Sequence, residues 1–332
     1  MKKKISQTLC IGGCACMAVM GLQCPETAGA SQLMIDQEES NTTIQIQQEV
    51  VQISGRLGLG RLSGESIETV YTDTGHKLSE LTWQLKDVYM LNAGVSVSPI
   101  SWLTINADIW FKINDGNGTM DDYDWMIENF QYTHWSYHDD TDLTEGYMID
   151  LNVAFAFYQH NKTTFSALLG YKRDNWEWVA RGGSYVYSTY ALYDTVGVFP
   201  AGEKGITYNQ WYDVPYIGLA FQSNLTNISF SGRFIVSPYA MAGAEDTHHM
   251  RNLFFEDDFD PTTMWAVDLG ARYNFTPQLA LLGAFHYQRY NEAKGSTTIT
   301  DQVTGARRYI GGDAAGTSHT SNLLSLSLLY NF

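Results

Sequence analysis

The chain has 332 residues, of which 44% are hydrophobic, 14% aromatic and 17% charged, with a formal net charge of −16. That acidity excludes a basic nucleic-acid interface and suits a cationic partner. The four cysteines, Cys10, Cys14, Cys16 and Cys24, lie close to the start, so no disulfide, thiol nucleophile or cysteine metal site can form beyond them.

The first segment opens with Lys2, Lys3 and Lys4, continues through a mostly apolar stretch to Leu22, and reaches Ala28-Gly29-Ala30. This is the pattern of a secretory signal cleaved after Ala30. A membrane anchor fits less well, because Ser6, Gln7 and the glycines interrupt the apolar run. A lipoprotein signal ending at Cys14 would have too short an apolar core. Cleavage takes away three lysines and Glu26 and moves the net charge from −16 to −18. Residues 31–332 then form a single domain.

No part of that domain reaches the ~18 consecutive apolar residues of a membrane helix. Alternation with period two takes their place. Leu103, Ile105, Ala107, Ile109 and Phe111 share one face, against Thr104, Asn106 and Asp108. Ile149, Leu151, Val153, Phe155 and Phe157 alternate with Asp150 and Asn152, and Trp265, Val267, Leu269, Ala271 and Tyr273 with Asp268, Gly270 and Arg272. The chain closes with Leu324, Leu326, Leu328, Tyr330 and Phe332 on one face and serines and Asn331 on the other. A soluble sandwich also alternates. The signal segment and the terminal Phe favour an outer-membrane barrel with lipid outside and a polar lumen.

Ten strands are expected, at 44–71, 77–98, 101–115, 145–160, 163–188, 210–225, 226–250, 262–277, 278–298 and 318–332. The fold class is therefore all-β, a ten-stranded antiparallel transmembrane β-barrel. Short turns at Pro99-Ile100, Asn161-Lys162, Leu225-Thr226 and Pro277-Gln278 belong to the periplasmic end, and longer loops at 116–144, 189–209, 251–261 and 299–317 to the outer end. Asp87 falls on an apolar face unless a bulge shifts its register. A strand over 163–188 would rise on the order of 80 Å if straight, so the barrel should extend beyond the membrane. Asp108, Asp150, Asp268 and Arg272 should fill a narrow lumen, which argues against a conducting pore.

Two stretches carry candidate chemistry. MDDYDWM (120–126) sets Asp122 and Asp124 two apart, and AEDTHHM (244–250) does the same with Asp246 and His248. On strands, each pair faces one side. A histidine held by a carboxylate is a general base, and two adjacent carboxylates raise one pKa. Facing each other across the barrel mouth, the pairs could activate a water for peptide hydrolysis without a metal or a covalent intermediate. Plainer readings compete. An Asp-x-Asp in a loop is most often a solvated acidic patch. Asp246, His248 and His249 could ligate a metal, but no further histidine has helpful spacing. His134, His138, His160 and His286 read as loop or rim residues.

LSGESIETVY (62–71), MDDYDWM, ARGGSYVYS (180–188), FPAGEKGITY (199–208), VPYIGLAF (214–221) and the Asp246–His248 pair together resemble the omptins, from about Ser54 to Phe332. The resemblance implies a ten-stranded outer-membrane endopeptidase, acting outside the cell as a monomer. Its catalytic quartet would be Asp122, Asp124, Asp246 and His248. It implies cleavage beside basic residues of peptides or proteins, with Glu68 in the acidic substrate pocket; the pocket's second acid falls at Ala244. No metal or cofactor is implied, but lipopolysaccharide activates members of the family from the outer wall. Tyr171 matches that lipid site, whereas the positions expected to be acidic or basic read Arg173, Asn175, Trp211 and Asp260. Lys172 and Arg173 leave local positive charge, and Arg181 is read as a structural or rim residue, not a catalytic one. An adhesin or receptor barrel is the alternative function.

Overall fold

The computed structural model describes residues 51–332. The expected signal segment at 1–30 and the start of the expected 44–71 strand lie outside the described residues. Fourteen strands follow in order. They are β1 (Gln52–Tyr71), β2 (Lys77–Ile100), β3 (Leu103–Lys112), β4 (Gly118–Asp124), β5 (His134–His160), β6 (Thr163–Arg181) and β7 (Ser184–Tyr187). Then come β8 (Thr195–Val198), β9 (Lys204–Asn224), β10 (Ile228–His248), β11 (Leu253–Phe259), β12 (Thr262–Asn274), β13 (Leu279–Asp301) and β14 (Arg307–Asn331).

These strands form a closed antiparallel ring of ten staves. β3 with β4, and β11 with β12, each make one stave in two pieces. The ring closes where β14 pairs β1, from Ser54↔Asn331 to Val70↔Ala315. The β7–β8 hairpin adds to the rim on β5, Ser136 standing opposite Tyr185.

The alternation expected from the sequence is realised as an inside and an outside. Leu57, Leu169, Ile217, Leu219, Leu269 and Leu326 all point outward and are exposed, Leu57 at 66%. They form the apolar belt that lipid covers. Inside, Arg56 meets Asp108; Arg233 meets Asp268 and also Asp150, at 2.7 Å from the latter; and His286 lies 2.8 Å from Asp268. These pairs border a cavity of about 830 Å³ in the lower lumen. Above it, Trp83, Trp176, Trp178, Tyr208, Tyr212 and Tyr290 are fully buried and close the barrel.

Three of the short turns fall where expected and the first lies just beyond Pro99-Ile100, at Ser101-Trp102, but the long loops do not fall where expected. β4 and the first part of β5, 134–144, occupy the expected loop at 116–144, β11 lies within 251–261, and β14 begins at Arg307 rather than 318. Above the bilayer the outer face no longer needs apolar residues. The polarity signal therefore vanishes while the strand geometry continues. The 163–188 strand ends at Arg181, because Gly182 and Gly183 take φ of 52° and 102° and turn the chain into β7. Asp87 does sit at a bulge: the register jumps from Leu62↔Val88 to Gly64↔Leu85, and Asp87 has φ 57° and pairs with Arg61.

Candidate active site

Asp122 and Asp124 sit on β4, in register with Ser136 and His134 of β5. Their neighbours Met120, Ser136 and His138 are buried, whereas Tyr123 joins the aromatic set of Trp125, Tyr132 and Trp135. The two aspartates therefore share the inner face of a strand, not a loop. The Ser79 hydroxyl donates to Asp122 Oδ1 at 3.0 Å. Burial, reinforced by the Asp124 charge, pushes the Asp122 carboxyl up to about 8, and burial also raises Asp124.

Asp246 and His248 end β10, across from Tyr208 and Ile206 of β9. Asp246 is 2% exposed, and its Oδ2 lies 2.6 Å from His248 Nε2. An Nε2–H donated to this carboxylate leaves the lone pair on Nδ1. His249 begins the short 3-10 turn that follows and bonds Thr207 at 2.8 Å, so Asp246 orients His248 alone.

The two pairs meet electrostatically across the mouth. Asp122 senses the Asp246 charge, Asp124 senses His248, and both sense the Arg251 cation. Arg251 comes from the 3-10 turn and lays its guanidinium on the His248 ring, 3.1 Å from Nε2 and in contact with Nδ1. Tyr187 of β7 borders the same space; burial and then the Asp122 and Asp124 charges push its hydroxyl up to about 12. The mouth around Arg251 is thus lined by one imidazole and one carboxylate pair.

Glu68 on β1 lies beneath this mouth. It is 6% exposed, and its Oε2 accepts a hydrogen bond from Trp83 Nε1 at 3.1 Å. Burial, then the charges of Asp246 and Asp257, hold its carboxyl well above the usual range. Glu245 faces outward while Ala244 is buried, as their alternation requires.

Several expectations need correction. His138 is buried against Phe199, and His286 points into the lumen, so neither is a loop or rim residue. Lys172 adds no charge to the outer wall, because it is buried in the lumen, 2.7 Å from Asp174. Arg173 is on the outer wall, but Asp213 holds it at 2.8 and 2.9 Å, and Tyr171 also donates to Asp213. Arg181 pairs with Asp142 at 2.5 Å, consistent with a structural role. Ser79, Tyr187, Arg251 and Asp257 escaped the sequence reading. Asp257 would have emerged had LFFEDDF been read as a strand, since its alternation points Asp257 inward.

The family described as Omptin matches residues 49–332. The plasminogen activator of Yersinia pestis is 37% identical over 275 residues, covering 82% of this chain and 87% of that protein. The outer membrane protease OmpP of Escherichia coli (strain K12) is 28% identical over 285 residues, covering 84% and 90%. The crystal structure of outer membrane protease OmpT from Escherichia coli superposes with a TM-score of 0.80 at 26% identity, over 85% of this chain and 97% of that one. With its barrel and its rim of paired ionisable groups, this chain belongs to the omptin family of outer-membrane proteases.

Proposed function

We propose that the protein is an endopeptidase that cuts beside basic residues, using a water activated between Asp122–Asp124 and Asp246–His248. The observation that carries this reading is the 2.6 Å Asp246–His248 contact at the same mouth as the raised Asp122 carboxyl. In this reading, Asp246 fixes the tautomer and His248 Nδ1 takes a proton from the water as it attacks the scissile carbonyl. The water occupies the place held by Arg251 in the free enzyme. Asp122 and Asp124 share one proton at neutral pH and so orient the water from the opposite side. His248 then returns its proton to the leaving amine, and no covalent intermediate forms.

The preference for basic residues rests on charge. The chain carries a net charge of −16, and Glu68 lies beneath the mouth without an ion-pair partner among the described residues. The site faces the outside of the cell, at the end opposite the short turns. One barrel holds all four groups, so a monomer suffices. The reading keeps lipopolysaccharide as an activator at Tyr171 and Arg173. Its phosphates must compete there with Asp213, so weak activation is expected.

Refolded barrel, with and without lipopolysaccharide, would be assayed on quenched peptides carrying Arg-Arg, Arg-Val, Lys-Lys or no charge. Asp122→Asn and His248→Ala should each lower kcat by about 10²–10⁴-fold. Failure to cut any peptide under any lipid condition would leave the adhesin reading in its place.

A further inference from the structure

Asp257 stands in cross-strand register with Ala244 on one side and Thr297 on the other. Its neighbours Glu256 and Asp258 are exposed, so Asp257 points into the barrel. There it reaches the electrostatic range of Glu68, and both groups act on Tyr208. Ala244 is 1% exposed and contributes only a methyl group, so its position brings no carboxylate toward Glu68.

Two polar atoms beside these carboxylates, on Asp246 and Thr297, are buried without a hydrogen-bond partner. Neither Glu68 nor Asp257 takes part in an ion pair among the described residues, although thirteen such pairs occur elsewhere. Asp246 Oδ1 is buried without a hydrogen-bond partner. Thr297, 6% exposed, is close enough to favour the charged form of Asp257, but its Oγ1 closes no hydrogen bond. Buried polar groups left this way call for an absent partner. Three inward carboxylates require that partner to be a cation, and the wall is aromatic: the Trp83 and Tyr208 rings stack at 5.3 Å. A guanidinium can stack on such rings while donating to carboxylates at its edge.

The geometry points to Asp257 as the second acidic wall, opposite Glu68, of the pocket that receives the substrate's basic side chain. The carboxylate absent at Ala244 is thus supplied from the neighbouring strand, at the position directly across the ladder. This inference rests on the proteolytic reading above and assigns its specificity to one further residue.

The test compares two peptides that differ only before the scissile bond, one with arginine and one with citrulline, its uncharged isostere. Wild-type enzyme should favour arginine in kcat/KM by about 10²-fold, the order expected of a buried charge pair. Asp257→Asn should reduce the arginine-to-citrulline ratio at least tenfold, and adding Ala244→Asp to that variant should restore it. Glu256→Gln, which removes a charge from the outer face of the same strand, should leave the ratio unchanged. An unaltered ratio in a folded Asp257→Asn barrel overturns the inference and leaves the protease reading intact. Cleavage of neither peptide by wild-type enzyme removes the protease reading itself. Binding of the arginine peptide to His248→Ala, followed by tryptophan fluorescence, then gives a second readout. Equal affinity with and without Asp257→Asn overturns the pocket assignment independently of turnover.

Discussion

Arg251 lays its guanidinium across the imidazole of His248, touching Nδ1 and lying 3.1 Å from Nε2. A cation of the protein's own thus rests on the nitrogen that accepts the proton of water in the proposed mechanism. It also lies within the influence of Asp122 and Asp124. On that proposal, a basic substrate entering the cleft displaces it. The contact is on an exposed arm, so its removal should matter by about 1 kcal/mol. Arg251→Ala should therefore lower KM for a cationic peptide roughly fivefold, with a smaller change in kcat, and the gain should shrink as salt is added. An unchanged KM at low salt would show that Arg251 does not compete with substrate.

The second prediction concerns pH. Asp122 titrates at about 8 because it is buried and faces Asp124, and Ser79 partly offsets this by donating to its ionised form. A carboxyl raised on folding keeps its proton in the native state, so stability is lost as pH rises from the ordinary carboxylate range through about 8. Activity that needs the shared proton should fall over the upper part of the same window. Ser79→Ala removes a bond worth about 1 kcal/mol, which corresponds to roughly 0.7 pH units. The alkaline limb of kcat/KM should move upward by about that amount. A downward shift would place the essential proton elsewhere.

The sequence revealed the two chemical pairs more readily than the strands that carry them. Asp122 with Asp124, and Asp246 with His248, needed only the two-residue period of a strand, and the structure keeps each pair on one face. The belt strands were legible because lipid demands apolar residues on alternate positions. Above the membrane that demand stops. HWSYHDDTDLT continues β5, and LFFEDDF forms β11, yet neither alternates apolar with polar residues along its length. Asp257 was hidden for that reason. Arg251 was hidden because its side chain returns to His248 from a turn, a contact that no strand period encodes.

The outer wall yields a third prediction. Arg173 donates two bonds to Asp213, at 2.8 and 2.9 Å, and Tyr171 donates a third to the same carboxylate. A lipid phosphate gains little from a guanidinium so occupied. Asp213→Asn keeps the side chain's shape and removes the competing charge. It should raise sensitivity to lipopolysaccharide, with half-maximal activation at several-fold lower lipid. The check is activity across a lipid titration at constant ionic strength. Activation curves that coincide with wild type would remove Arg173 from the proposed lipid site.

The rim hairpin supplies the last prediction. Gly183 has φ 102°, and a Cβ built on it would lie 2.3 Å from the Tyr137 carbonyl oxygen and 2.9 Å from His138 Nδ1. Both neighbours belong to the β5 ladder on which β7 is seated. Neither backbone nor buried ring can yield cheaply, so Gly183→Ala should prise β7 from β5. Gly202 also has a positive φ, 75°, but a Cβ there meets nothing within 4 Å, so Gly202→Ala should cost only about 1 kcal/mol. β7 carries Tyr187, whose ring lies tilted against His134 with centroids 4.9 Å apart and borders the Asp122–Asp124 pair. Displacing it should lower kcat about tenfold, since small misplacements at a reacting site have effects of this order. The ten-stave barrel does not depend on β7, so the thermal transition should move little. Limited proteolysis would locate the damage, with new cuts confined to the β7–β8 hairpin in Gly183→Ala and absent from Gly202→Ala. Equal behaviour of the two variants would mean that backbone strain alone, rather than seating of the hairpin on β5, governs the site.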